Sequence, residues 1–429
     1  MRTNLCNVAV LFLGLFPLTC SHGQSPRVDD RVSVAASDWP WWRGTLRNGT
    51  ADANQQVPTK FSETENVRWK AEVSGRGYGS PTIVGNRVFL ATGDESVGSQ
   101  SVHCYDRSSG DQLWKTVVHP SGGMKKNSKS TLASSSPACD GERVFINFPN
   151  SDTLVTTALD VDGKILWQTK ISDYVVHQGY GASPAIYQDL VIVSADNKGG
   201  GAIAGLKRAS GEIVWRRDRP RLPNYPSPII LNVAGKDQVI MVGCNQVASY
   251  DPLTGQTNWE TSGATEECVT STVTDGQLIY TSGGYPTNHM SAIAADGSTT
   301  KVWENSERLY VPSLVIREGF LYGVLDAGIA MCWKADSGKE MWKARLGGTF
   351  SSSPVLVGDK IFISNEAGEF FVYQATPDKF VQVAKNRLGD LVMASPAICG
   401  GEIFHRITHV GDDGSQREML YCIGENSGQ

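Results

Sequence analysis

Two stretches of this chain decide its fold because their pattern recurs: Ser80-Pro81-Thr82-Ile83-Val84-Gly85-Asn86-Arg87-Val88-Phe89-Leu90-Ala91, and Val102-His103-Cys104-Tyr105-Asp106-Arg107-Ser108-Ser109-Gly110-Asp111-Gln112-Leu113-Trp114. The proline position of the first stretch recurs at Pro81, Pro137, Pro184, Pro228, Ser271, Pro312, Pro354 and Pro396. From Pro81 to Pro396 there are 315 residues in seven steps, a mean of 45. The chain therefore contains eight units of similar length.

Each unit reads as four short strands. A residue pair suited to a two-residue hairpin turn follows the first strand: Gly85-Asn86, Asp140-Gly141, Gln188-Asp189, Gly235-Lys236, Asp275-Gly276, Glu318-Gly319, Gly358-Asp359 and Gly400-Gly401. A turn ending in Gly follows the third strand, and a Trp comes four residues later at Gly110/Trp114, Gly163/Trp167, Gly211/Trp215, Gly255/Trp259 and Gly338/Trp342. Unit five departs, with Gly297 and Trp303 six apart, and unit seven has no Trp. This pattern predicts an all-β fold, an eight-bladed β-propeller of four-stranded antiparallel blades.

The last unit ends before its fourth strand. Its final residues, Tyr421 to Gln429, align with Cys104 to Asp111 and stop where a strand with its Trp is due. A matching strand, Val67-Arg68-Trp69-Lys70, precedes the first unit. We expect it to complete the eighth blade and close the ring, which removes two exposed sheet edges. The propeller is then residues 66–429, or 45.5 residues for each of eight units.

The segment before the propeller has two predicted parts. Residues 1–23 resemble an export signal, because Arg2 precedes an uncharged apolar run from Val8 to Leu18. Acylation at Cys20 is the weaker alternative, because Pro17 and Thr19 fit a lipoprotein signal poorly. Residues 24–65 form an arm with Trp39, Trp41 and Trp42, which we expect to pack on the base or side of the ring, or to meet a partner. The mature protein is predicted to be exported and soluble, in the periplasm or cell envelope.

Composition excludes several classes of function. The net charge of -5 leaves no basic field for nucleic acid, and no later apolar stretch is long enough to span a membrane. Outside the signal there are seven widely spaced cysteines, which we expect to be buried thiols. His405 and His409 lie four residues apart in a predicted strand, too far to share one metal ion. We therefore predict no metal, no catalytic residues and a monomer.

The turn pattern Tyr-Asp-x-x-Thr/Ser-Gly-x-x-x-Trp, as in Tyr250 to Trp259, resembles the repeat of pyrroloquinoline-quinone (PQQ)-like β-propellers. The exported eight-bladed format is similar to that of the outer-membrane assembly lipoprotein BamB. Quinoprotein alcohol dehydrogenases share the repeat, and there a disulfide of adjacent cysteines, a Trp floor and a calcium ion hold the cofactor. This sequence has no adjacent Cys pair, so PQQ is not expected. We predict a non-catalytic envelope protein that binds a protein or glycan; a PQQ-dependent dehydrogenase is the alternative.

Candidate ligand-binding residues lie just before the inner strands. The aromatic ones are Tyr78, Tyr180, Tyr225, Tyr310 and Phe350; the polar ones are Arg76, His177 and Arg308, with Asn224, Glu266 and Glu267 nearby. They are predicted to form a collar at the mouth of the central channel, suited to a sugar ring or an extended peptide. The alternative is that the tyrosines wedge adjacent blades apart. The repeated tryptophans are predicted to be packing residues: Trp69, Trp114, Trp167, Trp215, Trp259, Trp303 and Trp342. The basic run 124–129 is expected to be a solvated connection.

Overall fold

A computed structural model of the chain describes Met1, Val32 and residues 34–425. The chain divides into two compact units, Met1–Arg31 and Val32–Gln429, and the second contains the features described below. Apart from Met1, the predicted signal at residues 1–23 lies outside the described residues, as does Cys20.

The second unit contains eight four-stranded antiparallel sheets. The first four are blade 1, β2 (Thr82–Val84), β3 (Arg87–Asp94), β4 (Ser99–Asp106) and β5 (Gln112–His119); blade 2, β6 (Ala138–Cys139), β7 (Arg143–Asn150), β8 (Thr153–Asp160) and β9 (Ile165–Asp173); blade 3, β10 (Ala185–Tyr187), β11 (Leu190–Ser194), β12 (Gly201–Lys207) and β13 (Ile213–Arg219); and blade 4, β14 (Ile229–Val233), β15 (Lys236–Gly243), β16 (Gln246–Tyr250) and β17 (Thr257–Ser262). The others are blade 5, β18 (Val273–Thr274), β19 (Leu278–Gly283), β20 (His289–Ala294) and β21 (Lys301–Asn305); blade 6, β22 (Val315–Arg317), β23 (Phe320–Leu325), β24 (Ile329–Lys334) and β25 (Glu340–Arg345); blade 7, β26 (Val355–Val357), β27 (Lys360–Ser364), β28 (Glu369–Gln374) and β29 (Gln382–Arg387); and blade 8, β30 (Ala397–Cys399), β31 (Glu402–Val410), β32 (Gln416–Ile423) and β1 (Val67–Val73). The predicted eight-bladed all-β propeller is confirmed.

The N-terminal strand closes the ring. Strand β1 pairs antiparallel with β32, with Val67 opposite Ile423 and Val73 opposite Glu418. The first strand of the propeller in sequence therefore becomes the outer strand of its last blade. This confirms the predicted closure, and it ties residues more than 340 positions apart into one sheet.

The hairpin turns after the inner strands require positive φ, as their sequences predict. Gly85 has φ of 56°, and even the non-glycine residues Gln188 and Glu318 adopt φ of 50°. In blade 4 the turn is shifted by one residue, because Val233 pairs with Lys236 and leaves Ala234-Gly235 as the central pair. A residue with positive φ occurs at every one of the eight turns.

The repeated tryptophans pack against the next blade, and all except Trp259 also donate a hydrogen bond to its backbone. The indole of Trp114 in blade 1 donates a hydrogen bond to the carbonyl of Val161 at 2.9 Å, and its ring covers Gly163. Five other indoles donate to a backbone carbonyl of the following blade in the same way: Trp69 to Arg107, Trp167 to Arg208, Trp215 to Pro252, Trp303 to Ala335 and Trp342 to Thr376. Trp259 instead donates to Gln238 of its own blade, and the Gln238 amide in turn donates to Ala295 O of blade 5. These tryptophans join neighbouring blades.

Replacing Gly163 by Ala is expected to destabilise the protein more than replacing Gly276 by Ala. Both glycines have similar positive φ, 91° and 95°, so each substitution carries a backbone strain of roughly 1–2 kcal/mol. A Cβ at position 163 would also lie 2.7 Å from the Trp114 ring, whereas one at 276 meets no atom within 4 Å. The overpacking adds about 1–3 kcal/mol to the cost of Gly163→Ala. Urea unfolding of the two variants measures the difference; equal losses would contradict the indole contact.

A belt of eight serines surrounds the channel where the inner strands begin. The backbone N–H of seven of these serines donates to the side-chain oxygen of the serine in the next blade, as from Ser80 to Ser136 at 2.8 Å. The other links run from Ser136 to Ser183, Ser183 to Ser227, Ser271 to Ser313, Ser313 to Ser353, Ser353 to Ser395 and Ser395 to Ser80. Ser271 and Ser313 therefore occupy the serine position of units five and six, so the proline positions predicted there, Ser271 and Pro312, are out of register.

The arm lies across the base of the channel. The backbones of Trp39 and Ile83, in the first inner strand, form an isolated antiparallel β-bridge. The indole of Trp42 donates to Ser271 Oγ at 2.8 Å. Other contacts reach the inner strands of blades 2, 3, 6 and 7: Cys139 N–H to Pro40 O, Arg47 to Ile186 O, Arg43 to Leu314 O and Pro354 O, and Ala51 N–H to Leu356 O. The chain passes Tyr78 and then Ser80 before it reaches Ile83 in β2, so the serine belt lies between the mouth and the arm.

Candidate functional site

A cavity of about 510 Å³ occupies the central channel above the arm. Trp42 lines its base, and six belt serines line its wall: Ser80, Ser136, Ser183, Ser227, Ser353 and Ser395. The side chains of Tyr78, Tyr225, Tyr285 and Tyr310 surround its upper part. The cavity is therefore a pocket that opens on the face of the blade-to-blade connections and is closed on the other side by the arm.

Five of the eight predicted collar residues line this cavity. They are Tyr78, His177, Tyr180, Tyr225 and Tyr310, and the neighbouring Glu267 lines it as well. The structure brings them together because each follows the outer strand of one blade and precedes the inner strand of the next.

Three predicted collar residues lie outside the cavity lining. Phe350 is 1% exposed and packs against Phe371, because its ring turns into the interior of blades 6 and 7. Arg308 donates to the carbonyl of Gly284, with its guanidinium 5.5 Å from the ring centre of Tyr310. Arg76 lies 4.0 Å from the buried carboxylate of Glu418, and its guanidinium donates to the Tyr78 hydroxyl at 3.5 Å.

Tyr180 has both features considered in the sequence analysis: it lies in the collar and it wedges between two blades. Its ring lines the cavity, but it is only 4% exposed, and its hydroxyl donates to Ser194 O of blade 3 at 2.7 Å. The same hydroxyl accepts a hydrogen bond from Asn147 of blade 2 at 3.1 Å. Tyr180 is therefore a wedge between two blades whose ring face forms part of the cavity wall.

Glu267 is the one carboxylate among the cavity-lining residues. Its side chain is 3% exposed, with Oε1 3.2 Å from His177 Nε2 and Oε2 accepting from the Tyr310 hydroxyl at 3.4 Å. Burial raises the pKa of Glu267, and the nearby imidazole opposes that rise. Burial, with the Glu267 charge as a second cause, raises the pKa of both Tyr225 and Tyr310. These phenols are therefore protonated at neutral pH, and that of Tyr310 donates to Glu267.

The basic run 124–129 does more than connect two blades. Lys129 lines the cavity, and its ammonium lies 3.0 Å from Glu366 Oε1 in the turn between β27 and β28 of blade 7. Asn127 donates to the Gln178 side chain at 2.7 Å, and Lys125 pairs with Glu95 at 2.6 Å. The side chain of Lys129 is still 60% exposed, as expected for a solvated loop. The run crosses the rim of the cavity, a position that the charge pattern alone did not indicate.

The residues here do not fit PQQ with its calcium ion. Calcium needs several oxygen ligands, and the one carboxylate of the cavity, Glu267, is already paired with His177. None of the described residues forms a cluster of three or more His, Cys, Asp or Glu that could hold a metal. The seven described cysteines are free and buried, as predicted, and none lines the cavity. Trp42 does supply an aromatic floor, but from the arm and without the other groups.

The two histidines of β31 contact different groups of residues and share no partner among the described residues. His405 is fully buried, with Nε2 3.3 Å from Ser364 Oγ and its ring against Phe370. His409 contacts the Tyr421 hydroxyl at 2.7 Å. Burial lowers the pKa of His405 to about 3, so it is a neutral core residue.

Known proteins resemble this chain in sequence and fold. A family model described as outer membrane protein assembly factor BamB matches residues 98–344. BamB of Bordetella pertussis is 24% identical over 337 residues, which cover 72% of this chain and 77% of that protein. A polyvinylalcohol dehydrogenase of Sphingopyxis sp. is 24% identical over 218 residues, which cover 47% of this chain but 31% of the dehydrogenase. The structure of quinohemoprotein alcohol dehydrogenase from Comamonas testosteroni has a TM-score of 0.65 at 12% identity, covering 92% of this chain and 81% of that one, and shows a shared fold alone.

Proposed function

This chain belongs to the family of outer membrane protein assembly factor BamB, and on that premise we propose that it is a non-catalytic binding protein of the cell envelope. The resemblance inferred from the repeated turns is thereby confirmed. A propeller fold is shared by proteins of unrelated activity, so the function has to be argued from the site.

The central cavity is the observation that carries this proposal. Its volume of about 510 Å³ falls in the range of small-ligand sites, and its aromatic rings and few polar groups are typical of binding sites. The described lining residues include no pair of carboxylates and no metal cluster that would support hydrolysis or redox chemistry. The rigid ring of blades holds these side chains in place without a ligand.

The ligand is proposed to be an extended protein segment or a glycan. The tyrosines present flat faces for a peptide side chain or a sugar ring, and the hydroxyl of Tyr225 supplies a donor. A partner would insert one end into the cavity and contact the rim near Lys129.

Export to the periplasm and a monomeric state are parts of the same proposal. The export signal was inferred from residues 1–23, and the related BamB proteins are named for assembly of the outer membrane. Within the described part of the chain, no helix has the length and apolar character needed to cross a bilayer.

The test is capture of a partner from envelope extract, followed by binding measurements with the purified partner. We expect Tyr78→Ala combined with Tyr225→Ala to weaken the partner's affinity at least tenfold, because both rings line the cavity. The matched control is Leu253→Ala, an exposed residue on a turn of the opposite face. Equal affinity of both variants and the native protein, with unchanged thermal unfolding, would reject the cavity as the binding site.

Dehydrogenase activity is the alternative function, favoured by the sequence similarity to polyvinylalcohol dehydrogenase. The discriminating experiment adds PQQ and calcium to the purified protein and follows absorbance and dye-linked alcohol oxidation. We expect neither stoichiometric quinone binding nor turnover, because the cavity lacks the ligand set for calcium. Binding with turnover would replace the proposed function.

A further inference from the structure

The six belt serines that line the cavity, named here the cavity serines, carry unused hydrogen-bond donors. They are Ser80, Ser136, Ser183, Ser227, Ser353 and Ser395, each at most 7% exposed. Each side-chain oxygen accepts one N–H bond from the backbone of a neighbouring belt serine. Within the described part of the chain none of these hydroxyls donates to a protein acceptor, although buried polar groups are nearly always paired. Their protons are therefore free to point at the contents of the cavity.

The eighth link of the belt is replaced by the arm. Ser271 accepts from the Trp42 indole at 2.8 Å instead of from a neighbouring serine backbone. All eight belt oxygens thus accept one N–H, and among the described residues the hydroxyl protons of the six cavity serines have no acceptor. Six unused donors around one cavity are matched by a group that offers several hydrogen-bond acceptors.

A buried positive charge lies directly below the cavity serines. Arg43 is 2% exposed, and its guanidinium donates to Pro354 O at 2.8 Å and to Leu314 O at 2.6 Å. Pro354 and Leu314 each follow a belt serine in sequence. Among the described residues no carboxylate forms an ion pair with Arg43, and its Nε has no partner. Burial lowers the pKa of Arg43 to about 9, a sign that the environment disfavours its charge.

We propose that the cavity serines form a binding subsite for an anionic group with several acceptor oxygens, a carboxylate or a phosphate. Such a group receives several O–H donors at once and compensates the charge of Arg43. Lys129 on the rim is already paired with Glu366, and Glu267 in the wall contacts His177, so the cavity serines and Arg43 are the groups that favour an anion here. This deepens the proposed binding function, on whose cavity it rests, by naming the chemistry of the ligand's inserted end.

The experiment measures thermal unfolding of the full chain with sodium phosphate, sodium acetate or glucose, the ionic strength being held constant with sodium chloride. We expect a saturable rise in Tm with at least one of the two anions, roughly 3 °C at a hundred times its Kd, and none with glucose. The better of the two anions distinguishes a phosphate ligand from a carboxylate ligand. An unchanged Tm with both anions, or an equal rise with glucose, would overturn the proposal.

A matched pair of serines separates binding from structure. Ser353→Ala and Ser313→Ala each remove one acceptor of a belt N–H, but Ser353 lines the cavity and Ser313 does not. We expect Ser353→Ala to weaken anion affinity threefold to tenfold, and Ser313→Ala to leave it unchanged. Equal effects of the two substitutions would contradict direct donation by the cavity serines.

The failure of this inference is distinguishable from failure of the proposed function. If neither anion binds while partner affinity still depends on Tyr78 and Tyr225, the anion subsite is wrong and the binding cavity stands. If an anion binds through Ser353 while the tyrosine variants retain full partner affinity, the subsite stands and the proposed partner site is wrong.

Discussion

Deletion of residues 24–73 is expected to yield a chain that neither unfolds cooperatively nor remains monomeric. It removes β1, which is the outer strand of blade 8, and the arm that crosses the channel base. The outer edge of β32 is then exposed, and an unpaired strand edge is a template for association with other chains. Size-exclusion chromatography with light scattering and a thermal melt measure the outcome. A soluble monomer with the native melting temperature would contradict ring closure by β1.

A companion deletion separates the strand from the arm. Removal of residues 24–64 eliminates the arm and keeps Val67–Val73, so the ring remains closed. We expect this chain to be monomeric with a lower melting temperature, because Trp39, Trp41 and Phe61 no longer bury their side chains. If both deletions behaved alike, the arm rather than the strand would be the closing element.

Substitution of Glu418 by Gln is expected to have the second largest effect on stability. Its carboxylate lies 2.6 Å from the guanidinium nitrogen of Arg406, and both side chains are 1% exposed. Arg406 also donates to the carbonyl of Ala91 in blade 1, so this pair lies at the seam between the last blade and the first. The substitution leaves a buried guanidinium without its counter-charge, which costs about 3–5 kcal/mol of unfolding free energy. Urea unfolding measures the loss.

Two further variants test whether that loss of stability comes from the unpaired buried charge. The double substitution Arg406→Met with Glu418→Met removes both charges and is expected to cost less than Glu418→Gln alone, because no charge is left unpaired. Asp218→Asn breaks an exposed pair with Arg216, whose side chains are 39% and 86% exposed, and is expected to change stability by roughly 0–1 kcal/mol. A loss for Glu418→Gln no larger than that for Asp218→Asn would show that the seam does not depend on this ion pair.

Most of the fold could be predicted because it is encoded locally and repeated eight times. Turn pairs such as Gly85-Asn86 require positive φ, and each pair predicts a hairpin from a few neighbouring residues. The one long-range prediction, pairing of Val67–Val73 with the last unit, followed from counting strands rather than from any local signal. The errors occurred where a unit departs from the repeat: Ser271 and Pro312 were aligned with the prolines, whereas the belt hydrogen bonds place Ser271 and Ser313 at the serine position.

The candidate site was predicted only in part. Tyr78, Tyr225 and Tyr310, which sequence position assigned to the mouth, line the cavity because every connection before an inner strand opens there. It could not tell the direction of a side chain, so Phe350 was assigned to the mouth although its ring is buried between blades. Lys129 was noticed as part of a charged run, but not as a cavity residue. The recurring Ser-Pro pairs were a visible signal for the belt, whose chemical role was not inferred.

The sequence by itself determined the number of blades, the antiparallel strands and the strand that closes the ring, because these depend on spacings and turn residues that repeat along the chain. Only the tertiary structure decided that the channel is a closed pocket. Its floor comes from Trp42, whose partner Ser271 is 229 residues away, and its charge comes from Arg43, bonded to Pro354 at a separation of 311 residues. Contacts of this kind appear once and follow no period, so they exist only after eight blades have brought their inner strands around one axis.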